Sequence, residues 1–235
     1  MSENKKIGII GAMPEEVEDL KQAMDAEEKK SIAGMEFWTG KLDSSDVIVV
    51  QCGIGKVNAG VCAQMLISIF GAEMIINTGV AGSLDNKINI GDIVVSVDAV
   101  QHDYDVSPIG FKKGEIPFTE HVAFSADEEL RKKALEAVRC AAQDTNVFEG
   151  RVCSGDQFIS SMEQKNRILD EFGGMCCEME GAAIAQVCYL NQTPFVIIRA
   201  ISDKVDGTDT MDYATFEQGA ALHCSNIVKY MVKNL

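Results

Sequence analysis

The chain has 235 residues, 46% of them hydrophobic and 24% charged, enough for one large domain with a substantial core. Its formal net charge of −15 repels DNA, RNA and anionic membranes and so argues against all three as partners. No apolar run approaches the ~20 residues of a membrane-spanning helix.

Residues 6–10 read as a short buried strand. A helix is predicted over 14–24, with Pro14 at its first position, where the missing N–H would have no partner anyway. Residues 35–39 and 46–50 read as a strand pair, 57–70 as a helix, and 73–77 and 92–97 as strands. A charged helix with spaced apolar positions covers 127–142. Next come a strand at 147–153, a helix at 162–171, a short strand at 175–177 and a helix at 181–189. Residues 194–201 form the most apolar strand, and a closing helix spans 213–233, with Ala220, Ile227 and Met231 among its buried positions. This alternation predicts an α/β fold with a mixed, mostly parallel sheet and helices on both faces. No linker, repeat or low-complexity segment breaks residues 1–235. Residues 101–124 show neither helical nor strand periodicity and are a candidate lid or subunit contact.

Several strand ends carry unusual residues. The first leads into Gly11-Ala12-Met13-Pro14-Glu15-Glu16. Two acids at a helix N-terminus disfavour a bound phosphate, while the helix dipole keeps them ionised. Such a carboxylate suits a general base acting on water; taken alone, the turn reads first as carrying ordinary, stabilising first-turn acids. Gly53-Ile54-Gly55-Lys56-Val57 opens the next helix but lacks the full phosphate-loop spacing. In Ile75-Ile76-Asn77-Thr78-Gly79-Val80-Ala81-Gly82-Ser83 a strand dissolves into small residues, which either admit a ligand to the backbone or make a plain turn.

Ser154-Gly155-Asp156-Gln157-Phe158-Ile159 follows another strand. Asp156 caps or holds the turn, Phe158 is a base-stacking face or a core ring, and the Ile159 backbone is placed to read a base edge. In Glu178-Met179-Glu180-Gly181, a carboxylate can accept both hydrogen bonds of a vicinal diol, and the thioether can pack on a sugar. The plain alternative is a helix N-terminus with favourable acids. The apolar strand ends on Asp203, which either delivers a proton into a sheltered pocket or caps the next turn.

The eight cysteines, Cys52, Cys62, Cys140, Cys153, Cys176, Cys177, Cys188 and Cys224, show no Cys-x-x-Cys spacing and mostly lie in apolar runs. They read as small core residues of a reducing compartment. With no signal-peptide core after the polar first residues, a cytoplasmic location is expected.

Taken in order, these segments resemble the 5′-methylthioadenosine/S-adenosylhomocysteine nucleosidases of the purine nucleoside phosphorylase superfamily. The resemblance runs from Ile7 to the last helix. It rests on Ile7-Gly8-Ile9-Ile10-Gly11-Ala12-Met13, Gly53-Ile54-Gly55-Lys56-Val57, Ile75-Ile76-Asn77-Thr78-Gly79, Gly91-Asp92-Ile93-Val94-Val95, Ser154-Gly155-Asp156, Glu178-Met179-Glu180 and Arg199-Ala200-Ile201-Ser202-Asp203, with the acidic first turn and the Ser202-Asp203 ending favouring the nucleosidase branch. It implies a single-domain three-layer αβα sandwich. It also implies hydrolysis of the N-glycosidic bond of methylthioadenosine, S-adenosylhomocysteine and 5′-deoxyadenosine, releasing adenine.

By that resemblance Glu16 activates water, and Asp203, placed by Ser202, protonates adenine N7. Glu180 holds the ribose hydroxyls, with Glu178 beside it and Met179 under the sugar. Phe158 and Ile159 bind the base, Arg199 supports Glu180, and Met13, Ile54, Val80 and Tyr213 line the pocket. The family forms homodimers, and the loop with Val106, Ile109 and Pro117 resembles the part that reaches the partner's pocket. Water and an adenine nucleoside are the expected partners, with no cofactor and no metal; His102-Asp103-Tyr104-Asp105 has ligand atoms but reads as a solvated loop.

The implied chemistry agrees with the residues. Adenine leaves poorly as an anion, so N7 needs a proton. Free aspartic acid ionises at a pKa of about 3.9, so a donor near neutrality needs shelter, which the apolar strand before Asp203 is expected to supply. Val80 stands where the family often has Ser, and Ile109 where it often has an aromatic; both bear on the 5′ substituent more than on the reaction. The alternatives are a purine nucleoside phosphorylase, an aminodeoxyfutalosine-type nucleosidase, or a nucleoside-binding module without catalysis.

Overall fold

The computed structural model describes residues 5–119, 121–204 and 213–235, with side chains in the final helix described from residue 219 onward. In chain order the elements are β1 (Ile7–Gly11), α1 (Pro14–Ala23), β2 (Asp25–Ile32), β3 (Met35–Leu42), β4 (Ser45–Gln51), α2 (Lys56–Ser68), β5 (Met74–Ser83) and β6 (Ile93–Gln101). A single 3-10 turn at Ser107–Ile109 follows. Then come β7 (Phe124–Ser125), α3 (Glu128–Ala141), β8 (Val147–Ser154), α4 (Met162–Phe172), β9 (Cys176–Glu178), α5 (Gly181–Asn191), β10 (Phe195–Asp203) and α6 (Tyr213–Lys233).

All strands belong to one mixed sheet, ordered β10-β6-β8-β9-β5-β1-β4-β3-β2, with β7 on β6. β10 also pairs with β5, so β10, β6, β8, β9 and β5 close into a ring. The pairings of β1 with β4 and β5, of β10 with β5, and of β8 with β6 and β9 are parallel. β1 throughout and β10 over its first four residues are apolar, and both strands are buried along nearly their whole length, as strands covered on both faces are.

Helices cover both faces. α1, α3 and α6 pack on one side through Val17, Leu20, Leu130, Ala134, Ile227 and Met231. α2 and α5 pack on the other through Ala59, Cys62, Leu66, Ile184 and Cys188. α4 closes a smaller cluster with Ile168 and Phe172 against Cys153 and Cys177. Seven of the eight cysteines are buried, Cys140 being exposed, and all are free.

Two features differ from the sequence reading. β2 is a full strand that hydrophobic patterning does not reveal, because every residue from Asp25 to Ser31 is exposed. His102 is buried rather than solvated, and Asp103 pairs with Lys56 at 2.6 Å. Of residues 101–124, the stretch around the 3-10 turn keeps its irregular character.

Candidate active site

The ends of β1, β5, β9 and β10 meet at one pocket, with about 650 Å³ of empty space including the open solvent at its mouth. Met13, Glu16, Ile54 and Val80 line one part of it. Phe158, Ile159, Glu178, Met179, Glu180, Ser202 and Asp203 line the rest. The strand-end residues picked out from the sequence therefore converge. Ile54 and Phe158 stand exposed at the mouth, while Ile159 is buried.

Glu16 is held by the start of α1. Pro14 begins the helix and Glu16, two residues on, folds back over its N-terminus. Its Oε2 accepts the backbone N–H groups of Ala12 at 2.6 Å and Met13 at 3.0 Å, and its Oε1 accepts that of Val80 at 3.0 Å. Both readings of this acid hold together: it caps the helix and it faces the pocket, whereas Glu15 is exposed. Burial pushes the Glu16 carboxyl up, against the pull of Arg199 and the three amides. Gly79 makes this seat possible, because a Cβ there would collide with the Glu16 carboxylate. Val80 holds Glu16 through its backbone, so the absence of a hydroxyl at this position leaves that contact intact.

Glu178 and Glu180 share a strand–helix junction but face different ways. Glu178 reaches the pocket wall, yet its oxygens are occupied by protein. They accept the Ser154 hydroxyl, the Gly181 amide at 2.8 Å and Arg199 Nη2 at 2.5 Å. Arg199 lies behind the pocket, 2% exposed, and its Nη2 also donates to Asn77 Oδ1. Burial opposes its charge, but Glu178 and Glu16 beside it outweigh that and hold the guanidinium fully protonated.

The Glu180 carboxylate accepts the Gly55 N–H at 2.7 Å, which ties it to the glycine loop before α2. Burial and then the Glu178 charge push its carboxyl up to about 7. One arginine thus faces the carboxylates of Glu178, Glu16 and Glu180.

Asp203 is aimed by a bulge. The β10–β5 register slips between Ile201 and Asp203, setting Asp203 opposite Gly82, whose missing side chain leaves room for the carboxylate. Ser202 Oγ lies 3.2 Å from Asp203 Oδ1 and 3.4 Å from the Ala81 carbonyl. The expectation of deep burial is not met: the Asp203 side chain is 37% exposed and bonded to Lys165 Nζ at 2.5 Å. The bulge that turns Asp203 toward the cavity also turns it toward the mouth.

Asp156 caps a helix other than the one it precedes. Its Oδ1 accepts the Lys56 N–H at 2.8 Å, at the N-terminus of α2, and its own N–H donates to Asp103 Oδ2. Val106, Ile109 and Pro117 do not line this pocket; Ile109 is 71% exposed. Tyr213 begins α6, and its side chain lies outside the described residues. Asn77, Cys177 and Lys165 are site neighbours that sequence reasoning missed. The polar Asn77 inside an apolar strand was a usable signal; a lysine on an amphipathic helix gave none. Among the described residues no group of three or more His, Cys, Asp or Glu is placed to hold a metal ion.

The chain matches the phosphorylase superfamily over residues 6–233. It is 41% identical over 230 residues to the 5′-methylthioadenosine/S-adenosylhomocysteine nucleosidase of Staphylococcus aureus strain JH9, covering 97% of this chain and 100% of the relative. The nucleosidase structure from Colwellia psychrerythraea, in complex with adenine, is 37% identical with a TM-score of 0.92 over 99% of this chain and 96% of that one. The Neisseria meningitidis nucleosidase with methylthio-immucillin-A is 35% identical, TM-score 0.92, over 98% and 100%. Futalosine hydrolase of Helicobacter pylori is 34% identical, TM-score 0.91, over 98% of each chain. Full-length similarity at this level, on a pocket assembled from the same strand ends that carried the resemblance, places the protein in the phosphorylase superfamily, among the 5′-methylthioadenosine/S-adenosylhomocysteine nucleosidases.

Proposed function

We propose that the protein hydrolyses the N-glycosidic bond of 5′-methylthioadenosine and S-adenosylhomocysteine, releasing adenine and a 5-thio-substituted ribose. Asp203 donates a proton to adenine N7, aided by Ser202. Glu16, fixed by three amides, orients water toward C1′ and takes its proton. Glu180 accepts the ribose hydroxyls, and Met179 packs under the sugar. As the C1′–N9 bond breaks, the ribose ring gains positive charge, which the Glu16 and Glu180 carboxylates stabilise. Phe158 stacks on the base and the Ile159 backbone reads its edge. Glu178 and Arg199 act from behind, as a pair that fixes the Glu180 turn.

The observation that carries hydrolysis over phosphorolysis is the pocket lining, which among the described residues contains no lysine or arginine. The nearby Arg199 is bound to Glu178 and Lys165 to Asp203. Among the described lining residues, a phosphate co-substrate would meet carboxylates and no cation. Adenine release from methylthioadenosine is therefore expected to proceed at the same rate in phosphate-free buffer and in phosphate. Release only with phosphate would overturn the reading, and bound adenine without turnover would point to a binding module. A futalosine-type nucleoside belongs in the same assay, given the Helicobacter pylori relative.

The acid limb of the pH profile follows from Glu180. Its carboxyl is raised to about 7, so the free enzyme loses the diol-accepting carboxylate as pH falls through 7. The expected kcat/KM declines by about tenfold per pH unit below that point. Glu180→Gln is expected to be weak throughout and to lack this limb; an unchanged limb in the variant would remove Glu180 from the role.

A homodimer and a cytoplasmic location complete the proposal. Val57, Val61 and Leu190 are exposed apolar side chains on α2 and α5, and Ile109 and Phe118 stand out from the irregular loop. A second copy covering them would bring Val106, Ile109 and Pro117 to the 5′ end of its partner's pocket; a monomer in sedimentation velocity would count against it. Buried free thiols suit a reducing compartment.

A further inference from the structure

Lys165 belongs to none of the motifs, yet it touches the residue on which the chemistry turns. It lies early in α4 and is 2% exposed, and a lysine this buried is rare unless paired. Its Nζ donates to Asp203 Oδ2 at 2.5 Å and to the Lys204 carbonyl at 2.7 Å. The dipole of α4 disfavours a cation near this end of the helix, so the helix alone gives no reason for it. α4 begins shortly after Ile159, so Lys165 joins the wall that carries Phe158 and Ile159 to the strand end that carries Asp203.

We infer that Lys165 is a positioning residue for the acid: it aims Asp203 and stabilises the carboxylate that Asp203 becomes on giving up its proton. The inference rests on the acid role proposed for Asp203. The Asp203 side chain is 37% exposed, so the open mouth beside it gives solvent protons access to the acid. In the reaction the Asp203 O–H bond breaks and an N7–H bond forms. The C1′–N9 electron pair goes to adenine, water oxygen bonds to C1′, and a water proton goes to Glu16. Asp203 therefore gains negative charge during the step, and a cation on Oδ2 favours that change. Arg199 cannot replace it, being engaged by Glu178 and Asn77.

The test compares two leaving groups. Methylthioadenosine needs the proton; a 4-nitrophenyl 5-methylthioriboside does not, because nitrophenolate leaves unaided. Lys165→Met keeps the apolar stem and removes the charge. It is expected to lower kcat on methylthioadenosine by about tenfold or more, with KM little changed, and to keep most of the wild-type rate on the nitrophenyl riboside. Asp203→Asn should show the same selectivity, more strongly. Equal loss on both substrates would mean that Lys165 only props the structure, and undiminished methylthioadenosine turnover would mean that it does not serve the acid; either overturns the inference. If Asp203→Asn itself keeps nucleoside turnover, it is the acid assignment that falls. Should Lys165→Met fail to fold, Lys165→Gln carries the same comparison.

Discussion

Asp203→Asn is expected to cut turnover of methylthioadenosine by about a thousandfold while leaving a folded protein that still binds adenine. The amide keeps the shape of the carboxyl group and can donate a hydrogen bond to N7, but it cannot transfer a proton. Without that proton the departing adenine carries the full negative charge of the broken bond. The fold should tolerate the change because Asp203 is partly exposed and lies at the end of β10, beyond the apolar residues that fill the core. The Lys165 amine retains the side-chain oxygen and the Lys204 carbonyl as acceptors. Single-turnover kinetics with circular dichroism and adenine titration measure all three properties. Near-normal turnover would rule out the acid role.

Glu16→Gln is expected to lower kcat by about a hundred- to a thousandfold, and also to cost stability. The carboxylate takes three backbone N–H groups, two on Oε2 and one on Oε1. An amide has one acceptor oxygen, so its NH₂ must face at least one backbone donor in a buried site. That mismatch is worth about 1–3 kcal/mol and should appear as a lowered Tm. Loss of turnover with affinity for adenine retained separates this variant from one that damages the base cradle. A variant with full activity would remove Glu16 as the group that activates water.

These two acids were legible in the sequence for a common reason. Each follows an apolar strand, Asp203 as the last residue of β10 and Glu16 in the first turn of the helix after β1, so an acid comes within a few residues of a buried run. Glu178, Glu180 and the Phe158-Ile159 pair were legible in the same way. What patterning missed lay where one residue answers to a distant segment. Lys165 reads as a solvent-facing lysine on an amphipathic helix, and only the packing of α4 against the end of β10 shows otherwise. The exposure of Asp203 was hidden as well, because a bulge is a property of the pairing between β10 and β5. His102 read as solvated from its polar neighbours, while the turn at Gly155 packs over it. Strand β2 was invisible because neither of its faces is apolar.

That polar strand has a bearing on solubility. Closing five strands into a ring leaves fewer strand edges open at that end of the sheet, while at the other end, among the described residues, β2 pairs only with β3. An open edge is where another chain can add a strand and begin to aggregate. Here it carries Asp25, Glu27, Glu28, Lys29 and Lys30, all exposed, in a segment of eight residues. An incoming strand would have to accommodate that charge on both faces and would find no apolar stripe to cover. The chain thus guards the end of its sheet that ring closure leaves open, with residues that contribute little to the core and nothing to the pocket.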